Sequence, residues 1–203
     1  MGLKSSGGAI FLGIYEGRLV RRYKTPTADS IQRTNKEGNV VNETFHKSVE
    51  GKIVGLDVKT HKDYGERLLL YISDDTIYCI EMKLDSRYAS NFLKTLPNVN
   101  LAMPVEFIPN KKADAEGKDD YTVFLKQGNV TLKRFYKKDD GVLPEPSFTK
   151  GKRGKKDEWD FSNVNDFLYE AVVVPFRDTL KAISAFDIPA DAGIPGDSDI
   201  SEE

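Results

Sequence analysis

The chain has 203 residues, 39% hydrophobic and 31% charged, which supplies one sizeable core and rules out wholesale disorder. No apolar run nears the ~18 residues of a membrane span, the N-terminus lacks a signal-peptide stretch, and the single Cys79 cannot form an internal disulfide. The formal charge is only -2 but unevenly spread, and the expectation is a soluble, cytoplasmic protein with no membrane contact.

Taken in chain order, Gly7–Tyr15 and Arg18–Tyr23 read as a hairpin turning at Glu16-Gly17. Thr25–Lys47 is polar, with turn chemistry at Asn35–Gly38, and reads as a long loop or arm. Val54, Leu56 and Val58 alternate along Lys52–Lys59, where Gly51 and Gly55 suit a bulge. Leu68, Leu70 and Ile72 alternate along Glu66–Ser73, with Leu69 and Tyr71 on the opposite face. Asp74-Asp75 marks a turn, and Tyr78, Ile80, Met82 and Leu84 alternate along Thr76–Leu84. These three runs predict an antiparallel meander.

The period then changes. Ala89, Phe92, Leu93 and Leu96 form one helical stripe, with Asp85 or Ser86 to cap it and Pro97-Asn98 to stop it. Met103–Ile108 and Tyr121–Tyr136 are extended, the second interrupted at Gln127-Gly128-Asn129. Asn110–Asp120 between them is charged and reads as an exposed loop. Asp140–Asp157, with Pro144 and Pro146, reads as a loop or linker. Trp159–Ala185 regains helical character through Val164, Phe167, Leu168, Ala171 and Val172. Pro175 is expected to break or kink it after Val174, leaving a second short helix with Phe176, Leu180 and Ile183 inward.

Positions 187–203 hold Asp187, Asp191, Asp197, Asp199, Glu202 and Glu203 and no basic residue. That segment carries -6, so the other 186 residues carry +4. With two prolines, two glycines and no aromatic, it reads as a disordered acidic tail. Such asymmetry suggests a nucleic-acid partner or a regulatory tail; a merely solubilising terminus fits the tail alone equally well.

Strand, strand, strand, helix, then two or three strands is the order of the five-stranded, partly open oligonucleotide-binding barrel, whose helix falls between strands three and four. An SH3-like barrel or an open sheet with one covering helix shares the pattern. The expectation is a mainly β protein: an N-terminal hairpin and polar arm (1–48), a barrel core (49–138), a basic loop (139–158), a C-terminal helical segment (159–186) and the tail (187–203).

Chemistry motifs are absent: no Walker loop, no G-x-G-x-x-G, no G-x-S-x-G elbow, and no zinc spacing among Cys79, His46 and His61. No enzyme activity, cofactor or metal is expected. Basic residues interleaved with aromatics do stand out. Arg18, Arg21, Arg22, Tyr23 and Lys24 form one cluster. Lys133, Arg134, Phe135, Tyr136, Lys137 and Lys138 form a second. Lys150, Lys152, Arg153, Lys155 and Lys156, followed by Trp159 and Phe161, form a third. Single-strand binders pair cations that follow phosphates with rings that stack on bases. Any one cluster alone is more simply a solvated face beside core aromatics; three together point to nucleic acid. Tyr71 is a candidate stacker because its neighbours claim the core face. Lys59, Tyr64, Tyr136 and Trp159 are further candidates, Trp159 being equally suited to pinning the C-terminal helix.

Five stretches carry a family resemblance. They are Val49–Lys59 (VEGKIVGLDVK), Leu68–Ile72 (LLLYI), Tyr78–Leu84 (YCIEMKL), Arg87–Leu93 (RYASNFL) and Val130–Phe135 (VTLKRF). With the acidic tail, they resemble bacteriophage single-stranded DNA-binding proteins, over a little under half the chain. The resemblance implies an oligonucleotide-binding fold coating single strands without sequence preference during replication, recombination and repair. It also implies replication or recombination proteins recruited through the tail, in the cytoplasm of a bacterial host. Tails of this kind commonly end in an aromatic residue; this one ends Ile200-Ser201-Glu202-Glu203. The alternative is a structural or assembly protein using the same barrel as a protein-interaction module.

Overall fold

A computed structural model describes residues 8–35, 38–62, 65–113, 117–137, 140–150 and 158–183. The fold is mainly β. Strands β1 (Ile10–Tyr15) and β2 (Arg18–Tyr23) form the expected hairpin, with Glu16 at φ 50° and Gly17 at φ 71° in its two-residue turn. Positive φ at both positions matches the right-handed twist of the flanking strands. The expected polar arm is instead a second hairpin, β3 (Ile31–Thr34) and β4 (Val40–His46), which turns over Asn35–Gly38. There the Asn35 side-chain oxygen accepts from the Asn39 amide at 2.6 Å.

The meander follows as β5 (Val49–His61), β6 (Gly65–Ser73) and β7 (Ile77–Lys83), with the β5–β6 register slipping between Ile53 and Gly55. Helix α1 (Arg87–Thr95) starts at Ser86, whose hydroxyl accepts from the Ala89 amide, and a 3-10 turn over Leu96–Asn98 closes it. Strand β8 (Val105–Ala113) extends through the first four residues of the segment expected to loop. It pairs with β9 (Asp119–Gln127), which turns back into the short β10 (Val130–Thr131).

The expected mainly β character holds, and the strands form one ten-stranded sheet, ordered β10-β9-β8-β5-β6-β7-β1-β2-β4-β3, in which no closed five-stranded barrel is seen among the described residues. The strand and helix order from β5 to β9 is as expected, but among the described residues no ladder joins β9 to β7. The far edge of β7 is taken by β1, in parallel, with Phe11 opposite Cys79. The outer carbonyls of β9 are taken by α1. Arg87 donates to the Asp119 carbonyl at 3.1 Å and Asn91 to that of Tyr121 at 3.0 Å. Residues four apart on a helix share a face, and those two apart on a strand share an edge, so the helix covers what a closing strand would pair.

The main core lies on one sheet face, where Leu68, Leu70, Ile72, Ile80 and Met82 meet Phe92 and Leu93 of α1 and Leu96 of the 3-10 turn. Val164, Leu168 and Leu180 join it from the C-terminal helix. That helix is not broken by its proline. It runs from α2 (Ser162–Leu168) through a π turn (Tyr169–Val173) into α3 (Val174–Ile183), with the Val174 amide donating to the Tyr169 carbonyl. The wider turn makes room where the Pro175 ring would press on the preceding turn. Before it, β11 (Ser147–Thr149) and β12 (Glu158–Asp160) form a separate two-stranded ribbon. Among the described residues no helix is long and apolar enough to cross a membrane.

Candidate nucleic-acid interface

The first basic cluster lies on β2, and the structure divides its residues. Arg18 lies 4.4 Å over the Phe45 ring, and Arg21 lies 4.8 Å over the Tyr23 ring. Arg22 is committed elsewhere: its Nε sits 2.9 Å from Glu43 Oε1, and Glu43 is fully buried. Arg33 clamps the same carboxylate with Nε at 3.0 Å from Oε2 and Nη2 at 3.0 Å from Oε1. Burial pushes the Glu43 carboxyl up, but hydrogen bonds from Arg33 and Arg22 outweigh it and hold it below the usual range. Arg22 is therefore tied to the hairpin pair through Glu43.

The expectation for Tyr71 is corrected. It does face away from the main core, yet only 5% of it is exposed. Leu69, Tyr71 and Cys79 form a second buried cluster, with Ala9, Phe11, Val54 and Ile77 packed against it. Burial raises the Tyr71 hydroxyl and pushes the Cys79 thiol up to about 12. Lys59, half-buried, lies opposite Arg67 on the same stretch of sheet. Tyr64 lies outside the described residues.

The second cluster wraps the C-terminal end of α1. The amides of Phe135 and Tyr136 both donate to the Lys94 carbonyl, at 2.8 and 3.2 Å. Asn98 donates to the Lys133 carbonyl at 2.9 Å, and Arg134 donates to the Asn91 side chain. Cations at this end of a helix meet its negative dipole. Burial, then the charge of Arg134, lowers the Lys94 ammonium. Tyr136 is half-buried between two edge-on rings, Phe135 at 4.9 Å and Phe167 at 5.4 Å. Lys133, Arg134, Phe135 and Lys137 are exposed.

The third cluster gives the most open aromatic surface. In the ribbon, Phe148 and Trp159 are directly opposite, with ring centroids 4.7 Å apart and planes at 48°. Phe148 is 47% exposed, Trp159 57% and Phe161 52%. Trp159 thus takes the exposed alternative rather than pinning the helix. Asp160, whose carboxylate accepts from the Ser162 hydroxyl and amide, starts α2 directly after the ribbon. The hydroxyl bond and then the amide bond hold that carboxyl below its usual value. Lys152, Arg153, Lys155 and Lys156 belong by sequence to the connection between β11 and β12 and lie outside the described residues, as does the tail.

Two exposed aromatics are not singled out by the sequence: Phe148, on a strand too short to show a period, and Phe124. Phe124 of β9 is 41% exposed, between buried Val123 and Leu125. The alternation that singled out Tyr71 applies to it equally, but the Tyr121–Tyr136 stretch was read only as extended chain. Among the described residues no group of three or more His, Cys, Asp or Glu side chains is placed to hold a metal ion. No family model, curated protein or solved structure matches the chain.

Proposed function

We propose that this protein binds single-stranded DNA without sequence preference and without catalysis, in replication, recombination or repair. The observation that carries the reading is the paired, exposed Phe148 and Trp159 on a ribbon whose connecting segment is lysine- and arginine-rich. Open rings offer stacking of about 1–3 kcal/mol per base, and nearby cations offer phosphate contacts. Lys133 and Lys137, with Phe135, extend this chemistry on the segment that packs against α2 through Tyr136 and Phe167. The oligonucleotide-binding order of β5 to β9, with α1 between its third and fourth strands, agrees with the same reading. The acidic segment 187–203 is assigned to competition with phosphate and to recruitment of partner proteins.

Trp159 is the only tryptophan, so its emission reports the ribbon directly. A dT 20-mer is expected to quench it, with a log–log salt slope of about -0.7 per neutralised phosphate. Trp159→Ala is expected to weaken binding by about 1–3 kcal/mol. Tighter binding to duplex than to single strand, or no quenching at low salt, would remove the proposal.

A further inference from the structure

The sheet face of β8 and β9 turned away from the main core carries another exposed ring, Phe124. Val123 and Leu125 are buried in that core, so Phe124 projects to the other side. Register places Ile108 of β8 opposite Phe124. On the other flank, Val130 pairs with Gln127 and Thr131 with Lys126, and the Leu132 amide reaches the Leu125 carbonyl at 2.8 Å. β10 ends at Thr131, and Lys133 is the residue after the Leu132–Leu125 hydrogen bond, where the chain leaves the sheet beside the row that holds Phe124. Lys133 is exposed, and its ammonium has no ion-pair partner among the described residues. One row along, Lys126 lies 3.9 Å from Glu106, too loosely held to be withdrawn from other contacts.

One phenylalanine and one half-buried isoleucine fall far short of the ~800 Å² per partner that a stable protein interface buries. An open ring with an exposed, unpaired lysine on the adjoining segment instead suits a single-stranded nucleotide: base on ring, phosphate on cation. We infer that Phe124 and Lys133 form a second contact for single-stranded DNA on this open face, Phe124 stacking a base and Lys133 holding an adjacent phosphate. Lys133 also begins the segment that leads to Phe135 and Tyr136, so this contact adjoins the one assigned above. It rests on the single-strand reading, but the two fail separately.

The test uses the full chain, a labelled dT 20-mer and the variants Phe124→Leu and Phe124→Tyr. Leucine keeps the apolar bulk and removes the ring face; tyrosine keeps the ring. Phe124→Leu is expected to bind about tenfold more weakly, and Phe124→Tyr within about twofold of the unmodified protein. A 20-mer carrying 5-iododeoxyuridine is expected to crosslink within Tyr121–Lys126. If the unmodified protein binds and quenches Trp159 while Phe124→Leu binds equally well, this contact is overturned and the ribbon reading stands. If Phe124→Leu instead converts a dimer to a monomer in sedimentation at unchanged affinity, the face belongs to a second copy and the inference is overturned. Absence of any binding by the unmodified protein overturns both readings.

Discussion

The amide of Gly17 donates to the hydroxyl of Tyr88 at 3.0 Å, across 71 positions of sequence. The bond fastens the tip of the N-terminal hairpin to the first turn of α1. Lys111 reinforces it, with Nζ 2.6 Å from Glu16 and 2.8 Å from Asp119. A Cβ on Gly17 would lie 2.4 Å from the Lys111 amide nitrogen, and its φ of 71° disfavours any other residue. Gly17→Ala is therefore expected to cost more than about 2 kcal/mol in urea unfolding, through backbone strain and the forced shift of β8. Tyr88→Phe, which leaves that amide without its acceptor, is expected to cost about 1–3 kcal/mol. An unchanged midpoint for Gly17→Ala would refute this docking.

Glu43 should be the acid-sensitive point of the second hairpin. Its folded carboxyl lies below the ordinary unfolded value of about 4.3, so its stabilisation is complete above that pH and disappears as pH falls through the folded value. Glu43→Gln removes the charge between Arg22 and Arg33 and is expected to cost about 2–4 kcal/mol at pH 7. The variant's melting temperature should also fall less between pH 6 and pH 3 than that of the parent. Parallel curves would show that the two arginines do not depend on this carboxylate.

The same carboxylate explains why β4 was illegible. Its buried positions include Asn42 and Glu43, so the apolar alternation that betrays a half-buried strand is missing. The meander and α1 are legible because the residues they turn to the main core are apolar and keep periods of 2 and 3.6, Arg67 and Thr95 being buried outside that stripe. Tyr71 and Phe124 mark the limit of the argument. Both sit between core-facing neighbours, one ending 5% exposed and the other 41%. Local alternation says which side a residue takes; whether other chain covers that side depends on contacts such as Phe11 with Tyr71 and Cys79, distant in sequence. The ribbon is illegible because three-residue strands are too short to show a period: β11 falls in the expected loop, and Trp159 and Asp160 of β12 fall at the start of the expected helical stretch.

Cys79 should behave as packing and nothing more. It is fully buried, and burial holds its thiol near 12, where the reactive thiolate is negligible at neutral pH. Iodoacetamide at pH 8 is expected to leave it unmodified until denaturant is added. Raised above the ordinary ~8.5, the thiol contributes stability that is complete below that pH and declines as pH rises toward its folded value. Cys79→Ser should leave binding of a dT oligomer within error; loss of binding in a folded variant would contradict this assignment.

Deleting positions 187–203 removes six negative charges from a body carrying +4. If the segment behaves as the disordered chain its composition predicts, 17 residues span roughly 20–25 Å, long enough to reach the lysines a strand would use. Truncation is expected to tighten single-strand binding most at low salt, the difference shrinking as salt screens both competitors. Equal affinities at low salt would leave the tail to partner docking or solubility alone.

The π turn ahead of Pro175 also sets the angular phase of everything after it. Leu168 and Leu180 are both buried in the main core, yet twelve steps of a regular α-helix would leave them roughly 120° apart. Accommodating one extra residue in the wide turn reduces the offset to roughly 20° and returns both to one stripe. Excising a single residue between Tyr169 and Val173 would thus not simply tidy the helix. It would swing Leu180 off the core and turn the side chains beyond Pro175 by about a quarter turn, so the length of this segment is under tighter constraint than the identity of most residues in it.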